Sequence, residues 1–164
     1  MFSCFRLASI RGLARPRLAL VATLVATVLV PKAVFAFDFT PEYSEWAMWP
    51  EFCKARFATF ELAKRTTYAG NVPQATIDAW RNRLGPRQWD PIHHYCASLI
   101  YLNRYYVART DQDRRHLLYA AQDECAFTLR SLSQYAPTGP LYRPVAAHMR
   151  LIQSLQATLP PAPR

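Results

Sequence analysis

Three side chains able to bind a metal or move a proton stand within four positions of one another: His93, His94 and Cys96. On a helix, neighbouring side chains point about 100° apart, so ligands sharing a face are three or four residues apart. His93 and Cys96 meet that spacing and His94 does not. Structural zinc sites draw on two such spaced pairs. The other histidines, His116 and His148, offer no second pair, and the chain has neither Cys-x-x-Cys nor Cys-x-x-Cys-His. No metal or cofactor is therefore expected. A metal- or redox-active protein using His93, His94 and Cys96, with His93 and Cys96 as its ligands, is the alternative. No nucleophile elbow or glycine-rich phosphate loop accompanies these residues. Asp123 and Glu124 are adjacent on a helix and diverge, as on a solvated face.

Cysteine chemistry is the second possibility. Cys4 falls in the first 36 residues, which leaves Cys53, Cys96 and Cys125. In an oxidising compartment two of these pair and one remains. No motif here would depress a thiol pKa, which argues against redox catalysis. Cys96 and Cys125 are equidistant from a turn centred between Thr110 and Asp111, so they lie level on two antiparallel helices. Helix axes usually sit ~8–10 Å apart, against the ~4.4–6.8 Å between Cα atoms in a disulfide. The small neighbours Ala97 and Ala121 would permit a close approach, so geometry favours Cys96–Cys125.

The elements that must position these groups read as helices. Asp90 as N-cap and Pro91 as first residue open a central helix that ends near Arg109. Thr40-Pro41 starts a short helix to Met48, and Pro50 forces a break before a longer one to Lys64. Pro73 to Leu84 follows, stopped by Gly85-Pro86. Thr110 caps a helix to about Ser133, with Leu118, Ala121, Cys125, Thr128 (or Leu129) and Leu132 inward. A one- or two-residue connection makes it and the central helix an antiparallel hairpin. Pro140 to Thr158 is the last helix, with Val145, Ala146, Met149, Ile152 and Leu155 inward. No glycine occurs between Gly85 and Gly139, which is incompatible with a turn-rich β-sandwich. The fold class is all-α.

The first 36 residues read as an address. Arg6, Arg11, Arg15 and Arg17 precede an apolar run from Leu18 to Val30, and Ala33-Val34-Phe35-Ala36 supplies small residues for cleavage near Ala36. The run is short of the ~20 residues of a membrane span, so membrane contact is expected only through this signal peptide before cleavage. From Phe37 onward the chain has 15 basic and 11 acidic residues, a net of +4, against +9 for the whole. So mild an excess, spread along helices, gives no case for nucleic acid. The expected organisation is a signal peptide at 1–36, one helical domain at 37–159 and a disordered tail at 160–164.

Antiparallel helix pairs of this size bring to mind tetratricopeptide units, whose first helix follows roughly W-x-x-L-G-x-x-Y. Tyr142, Val145, Ala146 and Met149 follow that spacing loosely, as do His94, Ala97, Ser98 and Tyr101. More specifically, Trp49-Pro-Glu-Phe-Cys53-Lys-Ala-Arg56, Trp80, and Gly85-Pro86-x-x-Trp89-x-x-Ile92-His-His-Tyr-Cys96 resemble a group of small exported proteobacterial proteins described as tetratricopeptide-like. The resemblance spans Trp49 to Pro137. It implies an exported all-helical module without transferable catalytic residues, a right-handed stack of about five helices. It also implies that Cys53 and Cys96 belong together, which puts that pairing ahead of Cys96–Cys125.

The expected function is therefore a periplasmic protein–protein interaction module or scaffold, not an enzyme. Its partner would be another periplasmic or envelope protein. Under the loose register a concave face would present Tyr95, Leu99, Asn103 and Arg104, then Arg143 and Arg150 one helical repeat apart. Arginine and aromatic side chains are common interface anchors, and the arginines with an asparagine would suit an acidic peptide. A short stack also exposes unfinished ends, which suit self-association or a role as structural subunit of an envelope assembly.

Overall fold

The structure, a computed structural model, describes residues 40–160. The expected signal peptide, its cleavage position and residues 161–164 lie outside the described residues. Within them the domain is all-helical, as expected, and no helix is long and apolar enough to cross a membrane. The α-helices are α1 (Tyr43–Met48), α2 (Glu51–Phe57), α3 (Gln74–Leu84), α4 (Pro86–Trp89), α5 (Ile92–Val107), α6 (Asp111–Tyr135) and α7 (Tyr142–Thr158).

The last three helices follow the sequence pattern closely. Thr110 Oγ1 accepts from the Asp113 amide at 3.1 Å, and Asp111 and Asp113 place negative charge in the first turn of α6. The tight connection folds α6 back along α5. Leu118, Ala121, Cys125, Thr128 and Leu132 of α6 are buried, as are Val145, Met149 and Ile152 of α7. Ala146 and Leu155 are only half-buried, and His148 takes an inward position that the apolar pattern does not reveal.

The N-terminal half departs from expectation in four places. α1 starts at Tyr43, not Pro41, because the Glu45 carboxylate accepts from the Glu42 amide at 2.8 Å and fixes the start there. α2 stops at Phe57, not Lys64. Thr59 Oγ1 donates to the Arg56 carbonyl at 2.7 Å, and the chain continues in tight turns through 3-10 segments at Ala63–Arg65 and Ala69–Asn71. Asp90 does not cap α5. Gly85, at φ 68°, ends α3, and Pro86 begins the extra turn α4, so Asp90 closes α4 in right-handed helical geometry. α5 then begins at Ile92.

A core of Trp46, Trp49, Phe57, Trp89, Ile92 and Ile100 joins these short helices to α5. Specific bonds reinforce it. Trp49 Nε1 donates to the Cys96 carbonyl at 3.0 Å, and Arg104 forks onto Glu45 at 2.6 and 2.9 Å. Gln88 stitches α4 to both neighbours, donating to the Leu84 carbonyl at 2.8 Å and accepting from the Leu141 amide at 3.3 Å. Gly139 permits this, since a Cβ there would lie 2.4 Å from Gln88 Oε1.

Candidate functional site

The start of α5 brings two different environments together, one inside the fold and one at its surface. Inside, Cys53 and Cys96 form a disulfide with Cα atoms 5.5 Å apart, joining α2 to α5. Cys125 is a buried free thiol. The two helices do place Cys96 and Cys125 at similar heights, but the faces differ. Cys96 faces α2, whereas Cys125 faces α7 and lies 3.5 Å from the Val145 carbonyl. Burial pushes the Cys125 thiol up to about 12, Ser98 partly opposing, so it remains a neutral packing group.

Ser98 and His148 have the appearance of a nucleophile and its base, with Ser98 Oγ 2.9 Å from His148 Nε2. Their hydrogen bonds run the other way. Ser98 Oγ donates its only proton to the Ala121 carbonyl at 2.6 Å, so His148 Nε2 must donate to Ser98. Such a histidine cannot accept the serine proton in this arrangement. Burial pulls the His148 pKa down to about 4, a hydrogen bond to the Ser98 backbone opposing, which keeps the ring neutral. Ser98 is fully buried.

The two adjacent histidines are also committed. His93 Nδ1 donates to the Asp90 carbonyl at 2.7 Å. Burial, then the neighbouring His94 and Arg56, lower its pKa to about 3 against that bond. His94 is buried and donates from Nδ1 to Glu124 Oε2 at 2.5 Å, its ring 3.9 Å from that of Phe127. His93 and Cys96 do not meet at a metal-like site, because Cys96 is spent in the disulfide. Among the described residues no group of three or more His, Cys, Asp or Glu side chains is arranged to hold a metal.

At the surface, α2, α3 and α4 enclose a cleft of about 590 Å³ whose walls include Arg56, Arg81, Asn82, Gly85, Trp89 and Asp90. The guanidinium carbon of Arg56 lies 5.6 Å from the Trp89 ring centroid and that of Arg81 5.7 Å from it. Arg56 also lies 4.6 Å from the Phe60 ring. The oxygens Arg56 reaches are neutral: Thr59 Oγ1 at 2.8 Å and the Asp90 carbonyl at 3.5 Å. Its Nε is buried with no hydrogen-bond partner among the described residues. Burial lowers the Arg56 pKa, Asp90 opposes and Arg81 adds to the lowering, yet a guanidinium stays charged. Arg83 repeats the motif on a half-buried ring, 4.9 Å from Trp80.

The six residues expected to form a concave face are not gathered on one exposed surface. Tyr95 is buried, its ring 5.3 Å from His148 and 6.5 Å from Phe52. Arg104 is engaged with Glu45. Leu99 and Asn103 are half-buried, and Arg143 and Arg150 are exposed on α7. The reason is that α5 has neighbours on most of its sides, α2 at Cys96, α6 at Ser98 and α7 at Tyr95. The Arg56–Arg81–Trp89 cluster was missed by periodicity, since its members come from three short helices; the run of arginines interleaved with Trp80 and Trp89 was the available signal.

No family model matches the chain, and no curated protein or solved structure shows significant similarity to it.

Proposed function

We propose that this chain is an exported, tetratricopeptide-like helical module that docks a partner protein in the periplasm and performs no catalysis. The observation that carries the reading is the set of arginines laid over tryptophan rings at the edge of the core, Arg56 and Arg81 over the buried Trp89 and Arg83 over the half-buried Trp80. Arginine and tryptophan dominate binding energy at protein interfaces, because each brings large contact area and directional hydrogen bonds. The commitment of Ser98, His93, His94, His148 and Cys96 to internal bonds supports grip in preference to chemistry. The alternative use of His93 and Cys96 as metal ligands would require opening the disulfide.

A second reading, a structural subunit of an envelope assembly, is favoured by an open groove of about 580 Å³ along α6 and α7, where Ala126, Leu129 and Met149 contribute apolar surface. Both readings meet in one experiment. The protein is crosslinked in the periplasm and recovered, beside variants Arg81→Gln and Arg143→Glu/Arg150→Glu. A distinct partner captured by the wild type and reduced by a surface variant supports docking. Recovery of the chain alone, as monomer, would overturn it. Self-crosslinked species only would favour the subunit reading.

A further inference from the structure

We infer that the Arg56–Arg81–Trp89 cleft is a receptor for the carboxylate of an acidic residue carried by a partner polypeptide, with an apolar neighbour of that residue lying against Pro86 in the same wall. The inference rests on the docking reading above and specifies where and what the module grips.

Three observations lead to it. First, Arg56 is half-buried, yet its hydrogen bonds end on neutral oxygens, one of them long at 3.5 Å, and its Nε has no acceptor. A partly desolvated guanidinium normally takes a carboxylate or phosphate, with which it forms paired, charge-assisted bonds. Second, Arg81 lines the same cleft and repels Arg56, a repulsion that an anion between them would relieve. Its own acid, Asp78, is 3.7 Å away and both side chains are half-exposed, so that pair is loose and exchangeable. Third, the walls are fixed in place. Gly85 lines the cleft with φ 68°, Trp89 is buried to 4 % exposure, and the Cys53–Cys96 bond ties α2, which carries Arg56, to α5. A preformed cleft of about 590 Å³ accommodates one or two amino-acid side chains.

The charge balance selects the ligand class. Asp90 lines the cleft and Asp78 stands beside Arg81, so two guanidiniums are already partly offset by two carboxylates. A dianionic phosphate would add two negative charges to a cleft already close to balance. A single carboxylate adds one charge and offers the planar, two-oxygen edge that an arginine fork matches. Pro86, exposed in the same wall, offers apolar surface to a hydrophobic neighbour in the peptide.

The test is an NMR titration of the disulfide-bonded protein with acetyl-Phe-Glu-Phe amide, following the Arg56 Nε–H and Trp89 indole N–H resonances. Saturable shifts of both in the millimolar range are expected, with acetyl-Phe-Gln-Phe amide and inorganic phosphate at least about tenfold weaker. Arg81→Gln, an exposed position, should keep the fold and weaken the Glu peptide by about tenfold. Equal binding of the Glu and Gln peptides, stronger binding of phosphate, no saturable shift, or an unaffected Arg81→Gln variant would each overturn the proposal. The periplasmic crosslinking separates this from failure of the docking reading. A partner recovered equally by wild type and Arg81→Gln sinks the cleft and leaves docking intact, whereas no partner for the wild type sinks docking itself.

Discussion

α6 runs for 25 residues and α7 for 17, whereas among the described residues no helix before α5 exceeds the 11 of α3. The two regions solve the same problem by different means. Long helices bury continuous stripes, and α5, α6 and α7 hold together through residues such as Ile100, Leu118, Leu132 and Ile152. Helices of four to seven residues are too short to be stable alone or to present such a stripe. The N-terminal half instead relies on discrete ties to α5: the Cys53–Cys96 bond, the Trp49 indole on the Cys96 carbonyl, and the Glu45–Arg104 fork. The surface cleft sits in this tied half, which makes its geometry depend on those few bonds.

The sharpest way to break the contrast is to cut the strongest tie. Cys53→Ser is expected to cost about 2–4 kcal/mol, through loss of the constraint on the unfolded chain. Chemical denaturation of the oxidised wild type and the variant measures it. A change below about 0.5 kcal/mol, the scale of an ordinary surface substitution, would mean the short helices need no cross-link.

Acidification should strain the boundary between α5 and α7. His148 is buried neutral with its pKa near 4, below the ordinary 6.5, so the unfolded chain binds more protons across that interval. Stability is therefore retained above pH 6.5 and falls as pH drops toward 4, by on the order of 2 kcal/mol for this group. Burial holds His93 near 3, which extends the same trend to lower pH. Melting temperatures of wild type and His148→Gln between pH 7 and 4 give the difference, and the variant should show the shallower slope. Parallel slopes would contradict a buried neutral His148.

Smaller effects test the joint at α4 and the regular hairpin. Gly139→Ala should cost about 1–3 kcal/mol, because the new methyl displaces Gln88 from its bonds to Leu84 and Leu141. The double variant with Gln88→Ala should recover part of that loss in denaturation experiments. Thr110→Ala, which removes only the α6 cap, should cost about 1 kcal/mol by the same measurement.

What could be read from the residues follows the same division. Leu118, Ala121, Cys125 and Leu132 repeat at helical spacing, and Thr110 with Asp113 marks a start, so the α6 face and its N-terminus were legible. In the short half, local competition decided the outcome. Thr59 closing on the Arg56 carbonyl ended α2 early, and Gly85 with Pro86 made an added turn of helix where the residues show only a helix stop. Cys96 and Cys125 are at similar heights, as counting residues indicates, yet a disulfide needs facing directions as well, and those depend on where α2 and α7 pack. The resemblance to exported tetratricopeptide-like proteins pointed to Cys53 and Cys96, the pair that is bonded here. The arginine cleft was illegible for the same reason: Arg56, Arg81 and Trp89 share no helix, and only the packing of α2, α3 and α4 joins them.

The division between the two halves is tested most directly by native-state hydrogen exchange on the protein with its disulfide intact and after reduction. The expected result is that reduction lowers protection in α1 to α3, and with it the walls of the cleft, while α5, α6 and α7 keep the protection of the oxidised protein. Uniform loss across α1 to α7, or no change in α1 to α3, would contradict a short-helix half held to a self-sufficient hairpin frame through Cys96.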